Sequence, residues 1–141
     1  MANRAFYQTC DSLNERLTMI QGTVAIGASG AVGALTGSGV ASVSQTSTGL
    51  YKITLSDAYN RLLMLSAVVQ AATPGTASNV GAVAIDKDPQ SSTDGVKAKV
   101  LNIQTLDFAG AKVDPQSGCV LMFQLWLRNS SIKGSGEYFY R

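Results

Sequence analysis

Three glycines, Gly27, Gly30 and Gly33, follow the apolar run Thr23-Val24-Ala25-Ile26 at a spacing close to the dinucleotide-binding fingerprint. In that motif the missing side chains let the backbone approach a pyrophosphate at a helix N-terminus. The motif needs a long helix behind it, yet Gly37 and Gly39 arrive after only Ala34-Leu35-Thr36, and each interior glycine costs a helix about 1 kcal/mol relative to alanine. The carboxylate expected about 20 residues on, to hold a ribose, is missing: no Asp or Glu occurs between Gly33 and Asp57. A second chemical candidate is Asp86-Lys87-Asp88, which places carboxylates at the first and third positions of a calcium loop. The sixth position is Ser91 rather than glycine and the twelfth is Lys97 rather than a bidentate glutamate, so the pattern fails. The chain contains no histidine. This removes Ser-His and Cys-His nucleophile pairs and the commonest zinc ligand. The remaining carboxylates and lysines sit mostly near turns and chain ends, and the reading is that the chain is not an enzyme and carries no metal or cofactor.

With 141 residues there is room for one domain with a full apolar core. Only 14% of residues are charged, against about 25% in an average protein, as expected of a surface that a partner covers. The net charge of +2 is small and its Lys and Arg are scattered, which argues against nucleic-acid binding. No apolar run is long enough to span a membrane as a helix. Cys10 and Cys119 are far apart and no signal segment follows Met1, so both are expected to be free thiols.

The elements that must carry these residues are strands. Ile20, Gly22, Val24 and Ile26 alternate with Gln21, Thr23 and Ala25, the period of a half-buried strand. Val40 to Thr46 and Gly49 to Leu55 repeat it around a Thr48-Gly49 turn, with Tyr51, Ile53 and Leu55 on one face. Arg61 is followed by Leu62 to Gln70, almost continuously apolar. That run predicts a central strand covered on both faces, or else a buried helix. Asn79 to Ile85 is a short apolar segment with Val83 and Ile85 on one face, and Asp86 to Gly95 is a solvated loop. Val96 to Leu106 predicts a strand with mixed faces. Val120 to Arg128 is the strongest strand, with Cys119, Leu121, Phe123, Leu125 and Leu127 facing the core.

The expected architecture is an all-β, single-domain sandwich of jelly-roll or Greek-key type. It spans residues 18–131, between an N-terminal arm (1–17) and a C-terminal aromatic tail (132–141). Phe6 and Tyr7 either fold back onto the domain or reach a neighbour. Tyr138, Phe139 and Tyr140, behind a Gly-Ser spacer, are expected to insert into a partner. Trp126, Tyr51 and Tyr59 are candidate stacking faces for a sugar.

The run GTVAIGASGAVGALTGSGVASVSQTSTGLYKITLSDAYNRLL, with the later VDPQSGCVLMFQLWLRNSS, resembles the capsid cement or head-decoration proteins of tailed bacteriophages. The resemblance covers strand and turn signatures over less than half the chain. It implies a jelly-roll-like homodimer on the capsid exterior of the virion, bound to the major capsid protein and tying neighbouring capsomers together. Phe6, Tyr7, Tyr138, Phe139 and Tyr140 are then the expected contacts. The competing expectation is a tail or fibre accessory module that binds a host-surface glycan.

Overall fold

The computed structural model describes residues 17–128. Eight strands run in chain order: β1 (Leu17–Ile26), β2 (Val32–Gly37), β3 (Val40–Ser47), β4 (Leu50–Leu55), β5 (Arg61–Gln70), β6 (Ala82–Ile85), β7 (Val100–Leu106) and β8 (Val120–Arg128). They form two antiparallel four-stranded sheets, ordered β2-β1-β8-β5 and β3-β4-β7-β6, packed face to face as an all-β sandwich. β5 leads into β6 across the sandwich edge, β7 pairs with β6, and β8 returns beside β5. The spatial order β8-β5-β6-β7 is that of a Greek key.

The period-two pattern is what closes the core. From the first sheet Ile20, Val24, Ile26, Leu121, Leu125 and Leu127 point inward, and from the second Tyr51, Ile53, Leu55, Leu101 and Ile103 meet them, all essentially inaccessible. Cys119 is a free, buried thiol at the head of β8, and Cys10 lies outside the described residues. Gly22 faces Phe123 across the β1–β8 ladder, and the Phe123 ring lies 2.5 Å from where a Gly22 Cβ would stand. The glycine makes room for the core's largest inward side chain on that sheet.

Three expectations are corrected. The apolar run Leu62 to Gln70 is not a central strand covered on both faces. β5 is an edge strand, with Leu62 buried and Leu65, Ala67 and Val69 turned to the core, while Leu63, Met64 and Val68 stand exposed on its outer side. Composition predicts burial of both faces, but strand order alone decides which faces receive a cover. The strand expected from Val96 begins at Val100 instead. Val96–Ala98 is a 3-10 turn and Lys99 is left-handed (φ 64), a turn that buries Val96 beneath Tyr59, whose N–H donates to the Val96 carbonyl (3.0 Å). Third, Val32–Gly37 is a strand, in a stretch where the period-two pattern marks none between Ile26 and Val40. It pairs with β1 through Gly22–Gly37 and Thr23–Thr36. The loop from Asp86 to Gly95 is partly tied down, by a Lys87–Asp94 ion pair and by Gln90.

Candidate interaction surface

The outer face of the first sheet is built from residues that alternate with the core. Cross-strand register sets them in rows: Ala25-Val120-Gln70, then Thr36-Thr23-Met122-Val68, then Gln21-Gln124-Ser66, then Met19-Trp126-Met64, and last Leu17-Arg128-Arg61. Met64 and Val68 are more than half exposed, Met19 nearly so, and Trp126 and Met122 are half-buried among them. Large apolar side chains at this density on a sheet's solvent side are a mark of an interaction site. Met, with its flexible thioether, and Trp, with its broad ring, suit such surfaces.

Small residues shape the centre of this face. Gly22 and Gly37 floor a shallow trough of about 390 Å³, and Thr23, Thr36, Ser66 and Met122 line it. Its polar groups are hydroxyls and amides, and the only charges in these rows are Arg61 and Arg128, directly opposed at one end. Like charges facing each other across a ladder repel, and no ion pair to either is formed among the described residues. Arg128 Nε is buried and unbonded there. That end of the face is suited to an incoming carboxylate.

A separate polar cluster lies at the opposite end of the β3–β4 hairpin. Asp114 Oδ1 accepts from Gln45 Nε2 (2.8 Å) and from the Gly49 N–H (2.7 Å), while Gln45 also donates to the Ser29 carbonyl (3.0 Å). Tyr51 donates its hydroxyl to the Gly30 carbonyl (3.0 Å). Gly30 has φ 75, and a Cβ there would strike Asp114 and Gln45, so glycine is required by both conformation and space. Burial, reinforced by the Asp114 carboxylate, pushes the Tyr51 phenol up to about 12. Burial and Asp57 also raise Tyr59. The cluster contains an acceptor-only carboxylate and a phenol held neutral at physiological pH, with no base beside a nucleophile. Its chemistry is a brace: it ties the 28–30 turn, the β3–β4 hairpin and the 107–119 connection together.

The sequence candidates fall as follows. Gly27, Gly30 and Gly33 form a 3-10 turn and the start of β2; Gly27 N–H donates to Ala31 O, and no helix follows. Among the described residues no group of carboxylates and cysteines is placed to hold a metal, and no helix is long and apolar enough to cross a membrane. Of the proposed stacking faces, Tyr51 and Tyr59 are corrected: both are buried, 1% and 8% exposed, Tyr51 because it falls on the inward phase of β4 and Tyr59 because the β4–β5 connection is tied by its N–H to the Val96 carbonyl. Trp126 alone stands on the outer face. Phe6, Tyr7, Tyr138, Phe139 and Tyr140 lie outside the described residues. Sequence reasoning missed Met19, Met64 and Val68. The signal that could have found Met64 and Val68 is the failure of β5 to alternate between apolar and polar.

Fold and surface together define an all-β sandwich scaffold that presents an open apolar sheet face. Comparison with protein-family models, curated proteins and solved structures finds no match.

Proposed function

We propose that this chain is a structural virion protein that binds the outside of an assembled phage capsid and cements neighbouring capsomers. The observation that carries the reading is the outer face of the first sheet, where Met19, Trp126, Met64, Met122 and Val68 lie on a rigid ladder with Arg61 and Arg128 at one end. A cement subunit needs a stiff body and a face that docks without rearrangement, since ordering a flexible segment on binding weakens the contact. Repetition around a symmetric shell, with several contacts per subunit, turns modest affinity into stable attachment. On this reading the major capsid protein is the partner, and Phe6, Tyr7, Tyr138, Phe139 and Tyr140 add contacts at the two termini. Its place is the capsid exterior, and its role involves no catalysis, cofactor, nucleic acid or membrane.

The test is rebinding to particles stripped of the protein, with copy number per shell protein read by quantitative mass spectrometry. The wild type is expected to bind at a ratio of the same order as the shell protein. Met19→Glu, which places a charge on the face without entering the core, is expected to bind at least tenfold more weakly. Failure of the wild type to bind shells, or a handful of copies per particle, sinks the proposal. The second reading, a glycan-binding tail module, is favoured by one observation: Trp126 lies beside Gln21 and Gln124, an aromatic plane with amides at hand. Glycan-array binding lost in Trp126→Ala, together with low copy number, would establish it.

A further inference from the structure

β5 carries the residue pattern of a central strand and occupies the place of an edge strand. Which of its backbone groups are open follows from the ladder. Ile26 N–H donates to Cys119 O (2.9 Å) in the β1–β8 register, so the odd-numbered residues of β8 bond to β1 and the even-numbered ones to β5. Their partners Met64, Ser66, Val68 and Gln70 therefore use their N–H and C=O groups on β8. Leu65, Ala67 and Val69 direct theirs to the open edge. The register shift between Leu62 and Met64 turns the Leu62 backbone groups to the open edge as well, and there the edge is already closed: the Gln90 amide accepts from Leu62 N–H (3.2 Å) and donates to Leu62 O (2.8 Å), standing in for a neighbouring strand. Beyond it, no described residue bonds the edge from Leu63 to Gln70.

This edge carries no Lys, Pro or inward charge, and the bulge between Leu62 and Met64 sits at the end that Gln90 already covers, so the stretch from Leu65 to Val69 is left without the devices that keep strands from pairing. We propose that its occupant is β5 of a second copy, paired antiparallel across a two-fold axis at Ala67. This register places Ala67 opposite its own counterpart and Leu65 opposite Val69 of the other copy, so all three open residues exchange both hydrogen bonds. On the outer side Ser66 faces Val68 and Met64 faces Gln70 of the other copy. The strand is uncharged from Leu62 to Gln70, so no like charges oppose each other. The two copies of Arg61 are held apart at opposite ends, offset by roughly 40 Å of strand. A partner strand bearing charge would find no complement on this run, whereas a second β5 matches it in length, phase and neutrality. The product is an eight-stranded sheet in which β5 is central, as its composition predicts, with the two Met-Trp-Met rows on one continuous outer face. The inference concerns how two copies meet, and stands or falls apart from what that face binds.

Sedimentation equilibrium of the full chain, from about 1 to 100 µM, reads the association. A species of twice the 14.7 kDa chain mass is expected. Ala67→Pro, which removes a donor that β8 does not use, is expected to return the monomer. The double variant Ser66→Cys/Val68→Cys reports the register independently: these positions are a non-hydrogen-bonded pair across the axis, with Cα atoms about 4.5 Å apart, inside disulfide range. Mild oxidation is then expected to give a covalent dimer that the wild type, treated alike, does not. A wild type that stays monomeric overturns the proposal. So does a dimer that survives Ala67→Pro and whose double variant forms no cross-link on oxidation, which assigns association to another surface. A dimer abolished by deleting residues 134–141 gives the edge to the tail and overturns it too.

Discussion

Gly22 bears no side chain because the ring of Phe123 occupies the place of one. Gly22→Ala is therefore expected to destabilise the fold by about 1 to 3 kcal/mol, the usual cost of overpacking a close-packed core, read as a lower midpoint in urea. The brace around Asp114 has a pH signature. Tyr51 is protonated in the fold up to about 12, while in the unfolded chain it titrates near 10.0. Below pH 10 both states are neutral and this group gives stability no pH dependence. As pH rises from 10 to 12 the unfolded chain releases the proton first, so stability falls, by about 2 to 3 kcal/mol over the window. Unfolding at stepped pH is expected to show this slope in the wild type and to lose it in Tyr51→Phe, which instead costs roughly 1 kcal/mol at neutral pH for the Gly30 hydrogen bond.

Among the elements, β8 was fully legible. Strict alternation from Cys119 to Arg128 places every second residue in the core, and the structure places them there. β1 and β4 were legible for the same reason. β7 was legible only from Leu101 on, because Val96 is apolar and in phase with no strand; its burial comes from the turn that Lys99 makes in the left-handed region. That conformation costs a side-chain-bearing residue about 1 kcal/mol. Lys99→Gly is accordingly expected to raise stability by about 0.5 to 1 kcal/mol, seen as an upward shift in thermal midpoint, with the sheet unchanged by circular dichroism. β2 escaped notice because Gly33 and Gly37 interrupt its apolar residues. They are there for close approach to β1, where a Cβ on Gly37 would meet the backbone of Gln21 and Gly22.

For the whole molecule, the scarcity of charge is the property with most reach. Rows of Thr, Gln, Met, Val and Trp dock by excluding water and by uncharged hydrogen bonds, and such contacts are little screened by salt. If the chain is the cement protein proposed above, its attachment to particles is expected to persist in about 0.5 M NaCl, weakened several-fold at most through Arg61 and Arg128. Release at that concentration, followed by pelleting of the particles, would assign attachment to ion pairs outside this face.

The sequence by itself determined the class of fold, since alternation of apolar residues and the placing of Gly and Pro mark strands joined by turns along most of the chain, with Leu62 to Gln70 alone left open to a helix. It also determined most of the core, because β-strand side chains alternate by geometry and need no knowledge of the neighbour. The candidate surface was decided only by tertiary structure. Trp126 could be assigned to the side of β8 away from the core, but not to a row with Met19 and Met64, because register joins residues more than a hundred positions apart. β5 shows the reason most plainly. Its composition calls for cover on both faces, and only the order of strands in the sheet leaves one face and one edge bare.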